Sequence, residues 1–104
     1  MTSFKDREKA FETRFAQDAE MQFRAEARRN RSLGHWAAAK MGKADEEAAA
    51  YAREVVKADF EEAGDEDVFR KVSSDLGDRA TEAEIRAKMT EFLAQAKAQI
   101  VEET

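Results

Sequence analysis

Arg24, Arg28, Arg29 and Arg31 place four guanidiniums within eight residues, and Gly34, His35 and Trp36 follow, the last two being the chain's only histidine and only tryptophan. Guanidiniums remain charged at any physiological pH and can form paired bonds to carboxylates or phosphates, so such a cluster points to an anionic neighbour. On an ideal helix Arg24, Arg28 and Arg31 lie within about 60° of one another, His35 continues the line and Arg29 points elsewhere. Like charges at this spacing repel by a few tenths of a kcal/mol, roughly, which leaves the row in need of compensation. Three neighbours could supply it: the chain's own acidic stretch (Asp59, Glu61, Glu62, Asp65, Glu66, Asp67), a partner protein, or the phosphates of a nucleotide. Trp36 reads as a core or interface anchor, and Gly34 as a point of close helix approach or a bend.

Other chemistry finds no support. The chain lacks cysteine, which removes disulfides, thiolate nucleophiles and thiolate zinc sites. One histidine cannot be read as part of a catalytic triad or a metal cluster, and no glycine-rich phosphate loop is present. Asp65 and Asp67 sit in nothing like a twelve-residue calcium loop. The expectation is a protein that is not an enzyme and holds neither metal nor cofactor, with weak adenine-nucleotide binding at the arginines as the one open alternative.

The net charge of −5 divides unevenly. Residues 1–31 hold eight Lys/Arg and six Asp/Glu, a net of +2, and residues 32–104 hold ten and seventeen, a net of −7. An acidic chain with one short basic stretch argues against nucleic acid, which demands a basic surface wide enough to displace many counterions. The N-terminus MTSFKDREKAF has no apolar run, and no stretch approaches the roughly 18 apolar residues of a membrane span. A cytoplasmic chain without direct membrane insertion is expected.

At 104 residues one modest core is available. The absence of proline and the abundance of Ala, Glu, Lys and Arg make helix the default. The first helix begins after Ser3 as N-cap and runs to Met41, with Gly42 supplying the left-handed terminus. The second starts after Asp45 as cap, with Glu46 and Glu47 at its positive end, and reaches about Phe60. The third is capped by Asp65, carries Val68, Phe69, Val72 and Leu76, and stops at Gly77. The fourth opens with the capping box of Thr81 and Glu84 and runs to about Val101, with Ile85, Met89, Phe92, Leu93, Ala96 and Ile100 as its apolar face. Short connections favour antiparallel neighbours, so the fold class is all-α, a small four-helix bundle.

The first helix is too long for that bundle. Some 38 residues span about 57 Å at 1.5 Å per residue. Either its N-terminal part projects or is flexible, or the helix breaks near Asn30 to Gly34. Phe4, Phe11 and Phe15 share one side, and the stripe drifts through Ala19 to Phe23 and recurs at Gly34, Ala37 and Met41. The phenylalanines stand among charged residues with no core of their own. They could close over one end of the bundle or insert into a partner's groove.

The strings EARRNRSLGHWAA (Glu26 to Ala38), GDEDVFRKVSSDL (Gly64 to Leu76) and IRAKM (Ile85 to Met89), taken together, resemble the alphaproteobacterial zeta subunit family of the F-type ATP synthase, and the resemblance runs essentially end to end. It implies an inhibitor of ATP hydrolysis, monomeric when free, that binds the alpha, beta and central-stalk subunits of the catalytic head and so sits peripherally at the inner membrane. It also implies an N-terminal inhibitory segment, residues 1–18, that wedges into a catalytic alpha/beta interface, and a bundle domain, residues 19–104, that holds it there. Carried onto this chain, Phe4, Phe11 and Phe15 become the apolar anchors, and Lys5, Asp6, Arg7, Glu8, Lys9 and Glu12 the polar contacts. Arg24, Arg28, Arg29 and Arg31 remain candidates for docking or for phosphate. Two other classes stay open beside the inhibitor, a small helical module for an adenine nucleotide and a generic helical adaptor.

Overall fold

The structure is a computed structural model that describes residues 4–61 and 64–103, with the side chains of residues 4–8 and 11 outside the description. The described residues form five α-helices: α1 (Phe4–Gln17), α2 (Ala19–Lys40), α3 (Asp45–Ala58), α4 (Glu66–Leu76) and α5 (Glu82–Glu103), with a 3-10 turn at Gly77–Arg79 before the last. None of them is long and apolar enough to cross a membrane.

The single long first helix of the sequence reading is two helices. Residues 30–34 are helical throughout, and the break falls at Asp18 instead. Asp18 is extended (φ −109°, ψ 99°), and its carboxylate accepts a hydrogen bond from the Met21 amide at 3.1 Å, making it the N-cap of α2. An aspartate competes with the helix for backbone donors and is worth about 1 kcal/mol where it caps. Gln22 completes the joint from the other side, its Nε2 donating to the carbonyls of Phe15 (3.1 Å) and Ala16 (2.9 Å). The carbonyls freed at the end of α1 thus find donors without water.

α2 is the central element, lying antiparallel to both α3 and α5. Its exit matches the sequence reading: Gly42 takes φ +76°, and the Lys43 and Gly42 amides donate to Ala38 and Ala39 carbonyls at 2.9 and 3.1 Å. That pattern is the Schellman motif, which favours glycine at this position. The cap of α3 differs from expectation. Ala44, not Asp45, occupies the cap position without a side-chain bond, and Asp45 is the first helical residue at φ +50°, a conformation aspartate tolerates better than most side chains. Asp65 does precede α4, but its carboxylate makes no cap bond. At α5 half of the expected box is present: the Glu84 amide donates to Thr81 Oγ1 at 3.1 Å, while the Glu84 carboxylate pairs with Lys40 at 3.4 Å.

The main core draws Leu33, Ala37 and Ala38 from α2, Ala48, Tyr51 and Val55 from α3, Val68, Val72 and Leu76 from α4, and Ile85 and Met89 from α5, with Trp36 packed half-buried against them. A smaller cluster at the other end joins Met21 and Ala25 to Ala96 and Ile100, with Phe15 and Leu93 over it. Phe23, expected within the packed stripe, is 54% exposed, because the buried line of α2 runs through Met21, Ala25 and Leu33.

Gly34 sets the approach of α2 to α3. A Cβ there would lie 2.6 Å from Ala52 Cα and 3.1 Å from Ala52 Cβ, so any side chain forces the two backbones apart. Gly34→Ala gains about 1 kcal/mol of helix propensity. It then loses more to overpacking, which costs roughly 1–3 kcal/mol in a filled core. The expected net is a destabilisation of about 1 kcal/mol, read as a lower midpoint of urea unfolding with an unchanged slope.

Candidate functional site

α1 rises about 21 Å at 1.5 Å per residue over its fourteen residues. The longest dimension of the molecule is 49 Å, well beyond the ~33 Å of a 22-residue helix. α1 therefore stands off one end of the bundle as an arm. Lys9, Glu12, Thr13 and Arg14 are exposed along it. Phe4, Lys5, Asp6, Arg7, Glu8 and Phe11 belong to the same helix, and their side chains lie outside the described residues.

The arm is fixed at its base. Phe15 is half-buried over Met21, Ala25, Leu93, Ala96 and Ile100, and Lys97 Nζ sits 4.8 Å from its ring centroid. Of the three phenylalanines read as one stripe, this one is seated on the bundle. Together with Asp18 and Gln22 it orients the arm, through one apolar contact and three hydrogen bonds within eight residues of chain.

The arginine row does not act as a unit. Arg28 donates to Glu103 at 2.6 Å and to Gln99 at 3.4 Å, tying α2 to the end of α5 and holding the Glu103 carboxyl below the usual carboxylate range. Arg24 and Arg31 are exposed. Arg31 borders a surface groove of about 380 Å³ with His35 and Arg53. Arg29 is the surprise, at 1% exposure. Its Nη2 donates to Asp65 Oδ1 at 2.9 Å, and its Nε donates to Asn30 Oδ1 at 2.9 Å. Asn30, also 1% exposed, donates from Nδ2 to Asp59 Oδ2 at 3.0 Å. The acidic connection does meet an arginine, and it is the one that points away from the row.

Two adjacent residues of α2 thus clamp both ends of the α3–α4 connection. Burial is the main cause that raises the Asp59 carboxyl above its ordinary value, reinforced by Asp67 and Asp65 and opposed by Asn30 and Arg29. Glu26 is raised for the same leading reason, with Asp59 next. Such a network is structural: it is satisfied internally, and no buried side-chain polar atom among the described residues lacks a partner. A sequence signal for it existed, because Met21, Ala25, Arg29 and Leu33 recur every four residues and place Arg29 in the middle of the apolar line. Among the described residues no group of three or more His, Asp or Glu side chains is placed to hold a metal ion.

A family model described as ATPase inhibitor subunit zeta matches residues 1–99 of the chain. Among solved structures, one determined by NMR in solution is 60% identical with a TM-score of 0.74, over 81% of this chain and 99% of that one. No curated protein matches the chain.

Proposed function

The chain belongs to the ATPase inhibitor subunit zeta family, and from that premise we propose that it inhibits ATP hydrolysis by the F-type ATP synthase, its N-terminal segment wedging into a catalytic alpha/beta interface of the soluble head. The observation that carries this reading is the arm. α1 is attached at Phe15 and Asp18, and its described residues from Lys9 to Arg14 offer an exposed helix that nothing in the bundle covers. Helix insertion into a groove is a recurrent mode of recognition, in which apolar anchors at helical spacing supply most of the energy. Phe4 and Phe11 are placed seven residues apart for that role, with Lys5, Asp6, Arg7, Glu8, Lys9 and Glu12 as polar contacts.

Inhibition in this reading is mechanical. The wedge has only to resist reopening of one catalytic interface against the central stalk, and the chain contributes no catalytic step. The bundle raises the local concentration of the arm once it is docked, an effect that can add orders of magnitude to the apparent affinity. A short helix ordered by Asp18, Gln22 and Phe15 also loses less entropy on insertion than a free peptide. The protein would act as a monomer on the cytoplasmic face of the inner membrane, held there through the alpha, beta and stalk subunits.

Titration of the purified head with the full chain tests the proposal. ATP hydrolysis should fall saturably towards a low residual rate at about one chain per head. Undiminished hydrolysis at a large excess of chain would remove it.

A further inference from the structure

The outer edge of the α2–α3 hairpin carries a strip that the arm does not use. Phe23, Ala27, Arg31 and His35 recur every four residues along one line of α2. Antiparallel to it, Phe60, Val56 and Arg53 follow one line of α3 and its exit. The two lines meet at both ends. Phe23 and Phe60, 54% and 66% exposed, face each other with ring centroids 5.9 Å apart. Arg31, His35 and Arg53 rim the groove of about 380 Å³ floored by Ala52 and Val56.

Its charge is unusual for the molecule. In a chain of net charge −5, most described cations near α5 and α4 are paired: Arg28, Lys71, Arg86 and Lys88 each hold a carboxylate. Arg31, His35 and Arg53 make no ion pair or side-chain hydrogen bond among the described residues. Glu20 stands about one turn before Phe23 on α2 and Asp45 about two turns before Arg53 on α3, so acidic residues bound the strip beyond each end. An exposed aromatic pair beside unpaired arginines is the composition of a binding hot spot, since Phe, Tyr, Trp and Arg are the residues enriched at interface centres.

The length of the strip selects the occupant. Phe23 and Arg31 are eight residues apart, about 12 Å along the helix, and the whole line to His35 covers about 18 Å. One small anion between the arginines leaves the aromatic pair uncovered. A helix of three to four turns covers both. We propose that this face docks an acidic amphipathic helix of the ATP synthase head, its carboxylates on Arg31 and Arg53 and its apolar side chains on Phe23, Val56 and Phe60. The proposal rests on the reading of the chain as an inhibitor of that head, and gives the bundle its own contact apart from the wedge.

The test uses the full-length chain as Arg31→Glu/Arg53→Glu and, separately, as Phe23→Ser/Phe60→Ser, exposed changes whose folding is checked by circular dichroism and thermal unfolding. Capture by the immobilised head is read apart from inhibition of hydrolysis. Each double variant should require on the order of ten-fold more protein for half-maximal capture and for half-maximal inhibition. Maximal inhibition at saturation should be unchanged, and the charge-reversed variant should lose the parent's weakening in high salt. Capture curves that superimpose on the parent's would overturn the proposal. So would amide shifts confined to the groove on titration with ATP or ADP while the head still binds both variants as tightly as the parent. A parent chain that is captured without inhibiting contradicts the functional reading alone, and the docking face is then judged by the same capture comparison. A parent chain that is not captured overturns both.

Discussion

Replacing Arg29 with alanine should lower the stability of the fold by about 2–3 kcal/mol, a large part of the 5–15 kcal/mol typical of a domain. The reason is what it leaves behind. Asn30 loses the donor to its Oδ1, Asp65 loses its 2.9 Å bond, and Asp59, Asp65, Asp67 and Glu26 remain together without the cation among them. Breaking a fully buried ion pair costs about 3–5 kcal/mol. The lower figure holds here because the Asp65 side chain is 47% exposed and the Asp59 side chain 17%, so water recovers part of the loss. In thermal unfolding that corresponds to a fall of roughly 10–20 °C.

The pH dependence has a definite sign. Asp59 and Glu26 already stand above their ordinary values in the folded protein, so each takes up a proton more readily folded than unfolded. Their unfavourable contribution is full at neutral pH and fades as pH falls through the raised folded values. Arg29 lowers both groups, so its removal raises them further. The deficit of Arg29→Ala should therefore be greatest at neutral pH and shrink in mild acid, and a deficit independent of pH would show that lost packing, not charge, dominates. Arg29→Met, which keeps the stem and omits the charge, should show the same trend with a smaller loss.

Removing residues 2–14 should abolish inhibition of ATP hydrolysis while leaving the thermal midpoint of the bundle nearly unchanged. The cut spares Phe15, which covers the small cluster of Met21, Ala25, Ala96 and Ile100, and Asp18, which caps α2. Every residue of the main core lies beyond it. Removing residues 2–18 should abolish inhibition equally, but with a further loss of stability of about 2–3 kcal/mol. About 1 kcal/mol of that is the cap, and the remainder the half-buried Phe15 ring. The contrast between the two truncations separates the arm's function from its seat. Residual inhibition by the shorter cut would place the inhibitory contact on the bundle.

Much of the fold was written locally. The Thr81 cap and the glycines at 42 and 77 are signals that act within a few residues, and the structure follows each of them. The break at Asp18 was legible in part, since Asp18 with Glu20 is an ordinary start signal. Residues 4–41 are otherwise uniform in helix propensity, and what stabilises the break is the distant contact of Phe15 with the Ala96 and Ile100 face of α5. The charge at the centre of the Met21, Ala25, Arg29 and Leu33 line hid the true apolar face of α2. By apolar periodicity alone the stripe passes through Phe23, which is exposed. Similarly Asp65 lies where a cap is expected but turns to Arg29, thirty-six residues away. The family was legible in whole strings of residues and agrees with the match over residues 1–99. No single-residue pattern pointed to it.

Entry of the N-terminal segment into a catalytic interface is tested most directly by photocrosslinking. A photoreactive residue in place of Phe11, and in a second variant in place of Phe4, is carried on the full chain and activated while the purified head hydrolyses ATP. Adducts should form with the facing surfaces of one alpha/beta pair, and from position 4 also with the central stalk. Adducts restricted to the outer surface of the head, with inhibition intact, would contradict the wedge.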